Sequence, residues 1–134
     1  MPIEPSTLIE RLQSLAPFEN GGLARRAYDA TLKSLRRGLG DDDADWLALD
    51  LGPELASPLQ QESYVGKLSP DDLYRWAGRF AGVRRNVAKE QVHIVCQALG
   101  QLLSPSTLAR LRNSVPEVAS LFALPIAEPL ASQR

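Results

Sequence analysis

The chain has 134 residues, 44% apolar and 23% charged, with 15 basic and 16 acidic side chains and a formal net charge of -1. That length suffices for one domain with a sizeable core, mostly aliphatic because aromatics make up only 6%. One cysteine excludes an intrachain disulfide, near-neutrality removes any global pull toward nucleic acid or acidic lipid, and no run approaches the roughly 18–20 apolar residues of a membrane span.

The opening MPIEPSTLIE is acidic and proline-bearing, unlike a secretory signal, so a cytoplasmic protein is expected. Met1–Pro5 reads as a loose arm. Thr7 and Glu10 have capping-box spacing, with Ser6 as a competing cap, and a helix through about Leu15 would bury Leu8, Leu12 and Leu15. Pro17 ends it and Asn20-Gly21-Gly22 marks a turn. A longer helix follows from about Gly22 to Arg37, stopped by Gly38 and Gly40. Asp41-Asp42-Asp43 opens a third helix, where three carboxylates suit the positive end of its dipole, while Arg36-Arg37 suit the negative end before it. Gly52-Pro53-Glu54 breaks that helix and starts a short fourth, to about Leu59.

Ser57–Ser69 links this half to the next. Ser69-Pro70-Asp71-Asp72 is a strong helix start, with serine as cap, proline at the first helical position and a carboxylate three residues on. Leu73, Trp76, Ala77 and Phe80 are expected on its inner face, and Gly82 ends it. The next helix, from about Arg84, contains VAKEQVHIVCQALGQLL, the most apolar run of the chain. Its Ala88, Val92, Val95, Leu99 and Leu102 follow helical spacing, with Ile94 and Cys96 widening the stripe. Ser104-Pro105 repeats the serine–proline start ahead of Leu108 and Leu111. Val115-Pro116-Glu117 begins a last helix carrying Val118, Leu121 and Phe122.

A shift of 64 residues lays Leu23 on Val87, Tyr28 on Val92, Thr31 on Val95, Leu35 on Leu99 and Leu39 on Leu103. The expected architecture is therefore all-α, a compact helical bundle of two tandem three-to-four-helix units. Unit one covers about 6–60 and unit two about 69–124 of a single domain 6–124, with 125–134 a flexible tail. Tyr28, Thr31 and Leu35 should pack near Val92, Val95 and Leu99 about an approximate twofold.

The repeated pattern is a capped helix, a longer helix, a third begun by serine or acid, then apolar-Pro-Glu-apolar. It reads AYDATLKSLRRGLGDDDADWLALDLGPEL and VHIVCQALGQLLSPSTLARLRNSVPEVASLF. From roughly Leu8 to Leu124 it resembles the bacterial family known as domain of unknown function 2267. The resemblance implies a helical, duplicated fold and supplies no activity or catalytic residues. The first copy departs from the pattern at Asp50–Gly52, where one extra residue and a glycine precede Pro53.

Chemistry-bearing constellations are few. His93 and Cys96, the sole histidine and cysteine, lie three apart on one helix, but zinc needs three or four ligands and a nucleophile pair needs an orienting group and an oxyanion site. No metal and no cofactor is expected. Asp41, Asp42, Asp43, Asp45 and Asp50 lack the glycine and the terminal glutamate of a calcium loop. Gly38-Leu39-Gly40 is not a phosphate loop, since no strand precedes it. Three basic pairs stand out, Arg25-Arg26, Arg36-Arg37 and Arg84-Arg85, with Lys33 and Lys89. Arg25, Arg26, Lys33, Arg36 and Arg37 make one helix locally cationic and are the candidate nucleic-acid contacts; a solvated face paired to acids explains them better. Trp46 reads first as core, yet its helix is apolar beyond one stripe and tryptophan favours interface centres.

The functional expectation is a non-enzymatic protein-interaction module, self-associating or binding a protein partner, with no membrane contact. Trp46, Leu49, Leu55 and Leu59 are its candidate contact residues. The alternative is a nucleic-acid-associated protein using the basic helix faces.

Overall fold

Residues 2–123 are described in the structure, a computed structural model. In chain order the α-helices are α1 (Pro5–Leu15), α2 (Gly21–Arg36), α3 (Asp41–Leu51), α4 (Pro53–Ala56), α5 (Pro70–Ala81), α6 (Arg85–Leu102), α7 (Pro105–Ser114) and α8 (Pro116–Ala119). Two 3-10 turns, Ser57–Gln61 and Ser120–Ala123, continue α4 and α8. Among the described residues the fold is all-α. The tail 125–134 and Leu124 lie outside the described residues.

Local chemistry fixes most helix ends. The Asn20 side chain accepts from the Leu23 N–H at 2.9 Å, so the residue read as part of a turn is the N-cap of α2. Ser69 and Asp72 form a full capping box at α5, with Pro70 at its first position. Ser104 accepts from the Thr107 N–H at α7. Gly82 closes α5 in the left-handed conformation, φ 71°, where a Cβ would be strained. The helix start expected at Ser6 or Thr7 does not occur. Pro5, its φ already helical, begins α1 two residues earlier, and Glu4 at the cap position makes no side-chain cap bond. Helical geometry in the expected fourth helix ends at Ala56 and the chain tightens into the 3-10 turn, with Pro58 inside it.

The two longest helices, α2 and α6, pack against each other and form the centre. From α2 the buried positions are Ala24, Ala27, Tyr28, Ala30, Thr31, Leu32, Ser34, Leu35 and Arg36; from α6 they are Ala88, Val92, Val95, Cys96, Ala98 and Leu99. α1 contributes Leu8 and Leu12, both fully buried. Each large aliphatic so enclosed is worth about 1.5–3 kcal/mol of transfer free energy. Thr31 and Ser34 are buried on α2 without cost because each hydroxyl donates to the carbonyl four residues back.

The partnering between halves is crossed. α1 packs on α6 as well as α2, and α5 packs on α2 as well as α6. α3 meets α7, the turn Ser57–Gln61 lies on α2, and the turn Ser120–Ala123 lies on α6. This contact scheme is unchanged when the first half is exchanged for the second. Gly100 of α6 permits the last contact: a Cβ there would fall within van der Waals range of the Phe122 backbone, 2.9 Å from its carbonyl carbon.

One part of the expected core lies at the surface. Leu73 and Ala77 of α5 are buried, but Trp76 and Phe80 are only half-buried, stacked on each other with centroids 6.3 Å apart. Cations cover their outer side: Arg37 sits 3.9 Å and Arg79 5.2 Å from the Trp76 centroid, and Lys33 lies 5.6 Å from that of Phe80. Tyr74 takes the inward place instead.

Candidate functional site: an exposed tryptophan–leucine face

α3 buries one narrow stripe, Ala44, Leu47 and Leu51, at spacings of three and four. Trp46 and Leu49 fall off that stripe. Trp46 is 41% exposed and Leu49 78% exposed, so Trp46 is not core. The spacing of Ala44, Leu47 and Leu51 was the sequence signal for this: it leaves no room for 46 and 49 on the same face. Leu55 and Leu59 behave oppositely, at 0% and 3% exposed, and do not belong to an exposed patch. The physical reason is the anchoring of α4 to α2. The Tyr28 hydroxyl donates to the Leu55 carbonyl at 2.6 Å, and Arg25 bonds both the Glu54 carboxylate and the Glu54 carbonyl.

The surface around Trp46 is held from α7. The Arg110 guanidinium lies 4.6 Å from the Trp46 centroid and its Nε donates to Asp43 at 2.7 Å. The Ser114 hydroxyl donates to the other Asp43 oxygen at 2.6 Å. The Ser114 bond, and after it Arg110, hold the Asp43 carboxyl below its ordinary range against the opposing effect of burial. Farther along, the Ser104 N–H donates to Asp50 at 2.8 Å, tying the end of α3 to the start of α7. Between them Trp46, Leu49, Asp50, Ser104, Ser106 and Thr107 border a shallow concavity of about 210 Å³. Asp42 and Asp45 are exposed on the same helix.

The five candidate nucleic-acid contacts do not form one free stripe. Arg25 is paired with Asp29 and Glu54. Arg36 is buried, donating to the Leu39 carbonyl at 2.5 Å and pairing with Asp41 at 2.6 Å. Arg37 pairs with Glu62 at 2.7 Å and covers Trp76. Arg26 is exposed, and Lys33, half-buried, covers Phe80.

His93 and Cys96 also separate. Cys96 is fully buried, and burial pushes its thiol up to about 12, leaving a neutral core side chain at neutral pH. His93 is half-buried, with Nε2 2.8 Å from the Tyr74 hydroxyl. Burial, helped by the positive charge of Lys89, holds its pKa below the ordinary value. Among the described residues no three His, Cys, Asp or Glu side chains converge as a metal cage, and no helix is long and apolar enough to cross a membrane.

A family described as an uncharacterised conserved protein, DUF2267, matches residues 6–121. The chain belongs to that family. No curated protein and no solved structure matches it. In this DUF2267 chain the matched span runs from α1 into the turn that follows α8, taking in both central helices and the Trp46–Leu49 face.

Proposed function

We propose that the chain is a cytoplasmic, non-enzymatic helical module that works through protein–protein contact, with Trp46 and Leu49 at the centre of the contact. The observation that carries this reading is the exposed pair itself. A tryptophan and a leucine three residues apart face outward on α3 while the stripe that holds the helix to the core is already complete. Arg110, fixed through Asp43, backs one side of the indole, so the ring enters a contact with little rotamer freedom left to lose. The exposed carboxylates Asp42 and Asp45 favour a partner surface, or a second copy, that brings an apolar side chain with basic residues at its edge. The nucleic-acid alternative has less support, since Arg25, Arg36 and Arg37 are engaged with acids of the same chain.

The same proposal takes the halves as copies of one unit. The matching order of elements and the exchange-symmetric contacts support it. Superposing the backbone of residues 5–61 on 70–123 in an experimental structure is the check; central helices that fail to overlay would end it.

The functional test is sedimentation velocity plus cross-linking and pull-down on the full chain, its Trp46→Ala and Leu49→Asp variants, and an Arg26→Ala control. Both α3 changes should abolish self-association or partner capture with circular dichroism unchanged, while Arg26→Ala has no effect. Assemblies that survive both α3 changes would refute the assignment of this face.

A further inference from the structure

A second concavity lies where α5 turns into α6. It measures about 430 Å³, and four of its lining side chains are arginines: Arg75 and Arg79 from α5, Arg84 from the turn and Arg85 from the first position of α6. No carboxylate lines it. Gly82, left-handed, makes the sharp turn that folds Arg84 and Arg85 back toward Arg75 and Arg79.

Ordinary helix electrostatics explains only part of this. Arg79 suits the negative end of α5. Arg84 and Arg85 stand at the positive end of α6, the longest helix, whose first turn holds no acid and whose cap position makes no side-chain bond. A cation there is repelled by the dipole and by the neighbouring guanidiniums. Two ion pairs offset some of this, Arg75 with Asp72 and Arg85 with Asp71, but both are exposed and of the kind worth little. Each uses one terminal nitrogen of a group with five donors.

We propose that this concavity binds a phosphate monoester. Arg79 and Arg84 supply the principal charge-assisted hydrogen bonds, and Arg75 and Arg85 close the rim. Guanidinium forks match phosphate oxygens in geometry as well as charge, and a dianion answers the mutual repulsion of the four cations. The chemistry is the same for a soluble phosphate ester and for a lipid with a terminal phosphate.

The test titrates the full chain with inorganic phosphate and with glycerol phosphate, following amide NMR shifts, with sodium acetate at matched ionic strength as the control anion. A parallel arm uses phosphatidylcholine vesicles with and without phosphatidic acid. Saturable shifts centred on Gly82, Arg84, Arg85 and Asn86 are expected with phosphate and not with acetate. Binding to the phosphatidic acid vesicles as well would make the lipid the source; its absence would make the source soluble. Arg79→Gln with Arg84→Gln should weaken binding about tenfold or more, the loss of two charged hydrogen bonds. Arg84→Gln alone, at an exposed position, should weaken it in the same direction if the double variant folds poorly, and Arg112→Ala on α7 should change nothing. No saturable shift, equal response to acetate, or unchanged affinity in both glutamine variants would overturn the proposal. So would tight, salt-steep binding of a single-stranded oligonucleotide with no response to free phosphate.

Discussion

Gly100→Ala sets two effects of opposite sign against each other. In the interior of a helix, alanine is favoured over glycine by about 1 kcal/mol, so propensity alone predicts a more stable protein. The contact geometry predicts the reverse. The new Cβ would overlap the Phe122 carbonyl oxygen and lie 2.9 Å from its carbon and 3.4 Å from its Cα. These are backbone atoms and cannot rotate aside. Restoring van der Waals distance means moving the turn Ser120–Ala123 off α6 by roughly 1 Å or more. That turn carries Leu121 and Phe122, both buried in the core. Overpacking of this kind costs about 1–3 kcal/mol, occasionally more, and it should outweigh the propensity gain. A clash with backbone falls in the upper part of that range, about 2–3 kcal/mol, and the resulting net loss of ~1–2 kcal/mol would lower the midpoint of thermal unfolding by roughly 4–8 °C in a domain of this size. The assay is urea unfolding followed by circular dichroism and tryptophan fluorescence, with Gly21→Ala as the paired control. At Gly21 the added Cβ meets only Ile9 Cγ2, at an ordinary 3.4 Å, so that variant should be neutral or slightly stabilised. A Gly100→Ala protein as stable as the parent would mean that the turn does not sit against α6 at this point.

Leu99→Ala empties a fully buried position on α6 and should cost ~2–5 kcal/mol in the same unfolding assay, a near-neutral result marking the face as wrongly placed. His93 has a folded-state pKa below its ordinary 6.5, so the unfolded chain binds more protons in that range and stability must fall as pH drops through it. His93→Gln should flatten unfolding midpoints measured from about pH 7.5 to 5.5 relative to the parent, and identical slopes would contradict the depressed pKa. Asp43 is likewise depressed from 3.8, so its stabilising contribution is present at neutral pH and lost in acid. Ser114→Ala should raise its titration midpoint by NMR, and no movement would show that the hydroxyl does not bond it in solution.

Much of the helical frame was legible because it is written in local chemistry. Ser69-Pro70, Ser104-Pro105 and Pro116 start helices through caps and fixed φ, and Gly82 ends one, all within a few residues of sequence. Less was legible where two segments must meet. The spacing of Ala44, Leu47 and Leu51 marks one covered stripe of α3, but contact with α4 and α7 decides whether Trp46 and Leu49 beside it are covered as well. Leu55 and Leu59 looked like surplus leucine in a short segment. Their burial depends on Tyr28 and Arg25, roughly 30 residues upstream, pulling that segment onto α2. Trp76 and Phe80 have the spacing of a core stripe, yet cations from α2 finish that surface. The arginine concavity was legible only as the pair Arg84-Arg85: Arg75 and Arg79 of α5 join it only once Gly82 turns the chain.

The crossed packing of α1 on α6 and α5 on α2 makes the segment between residues 62 and 69 a tether. Each half presents its first helix to the long helix of the other, so neither half contains a finished core. While the tether is intact the second half is held at a high effective concentration and closure is a first-order event. A protease cut between the exposed Tyr64 and Val65 would leave every one of these contacts in place but turn assembly into a second-order reaction. Its midpoint would then depend on dilution, by ordinary mass action. Such a nicked protein would behave as a tight two-fragment complex at high concentration and dissociate into unfolded pieces when diluted, although no residue of its interior had been touched.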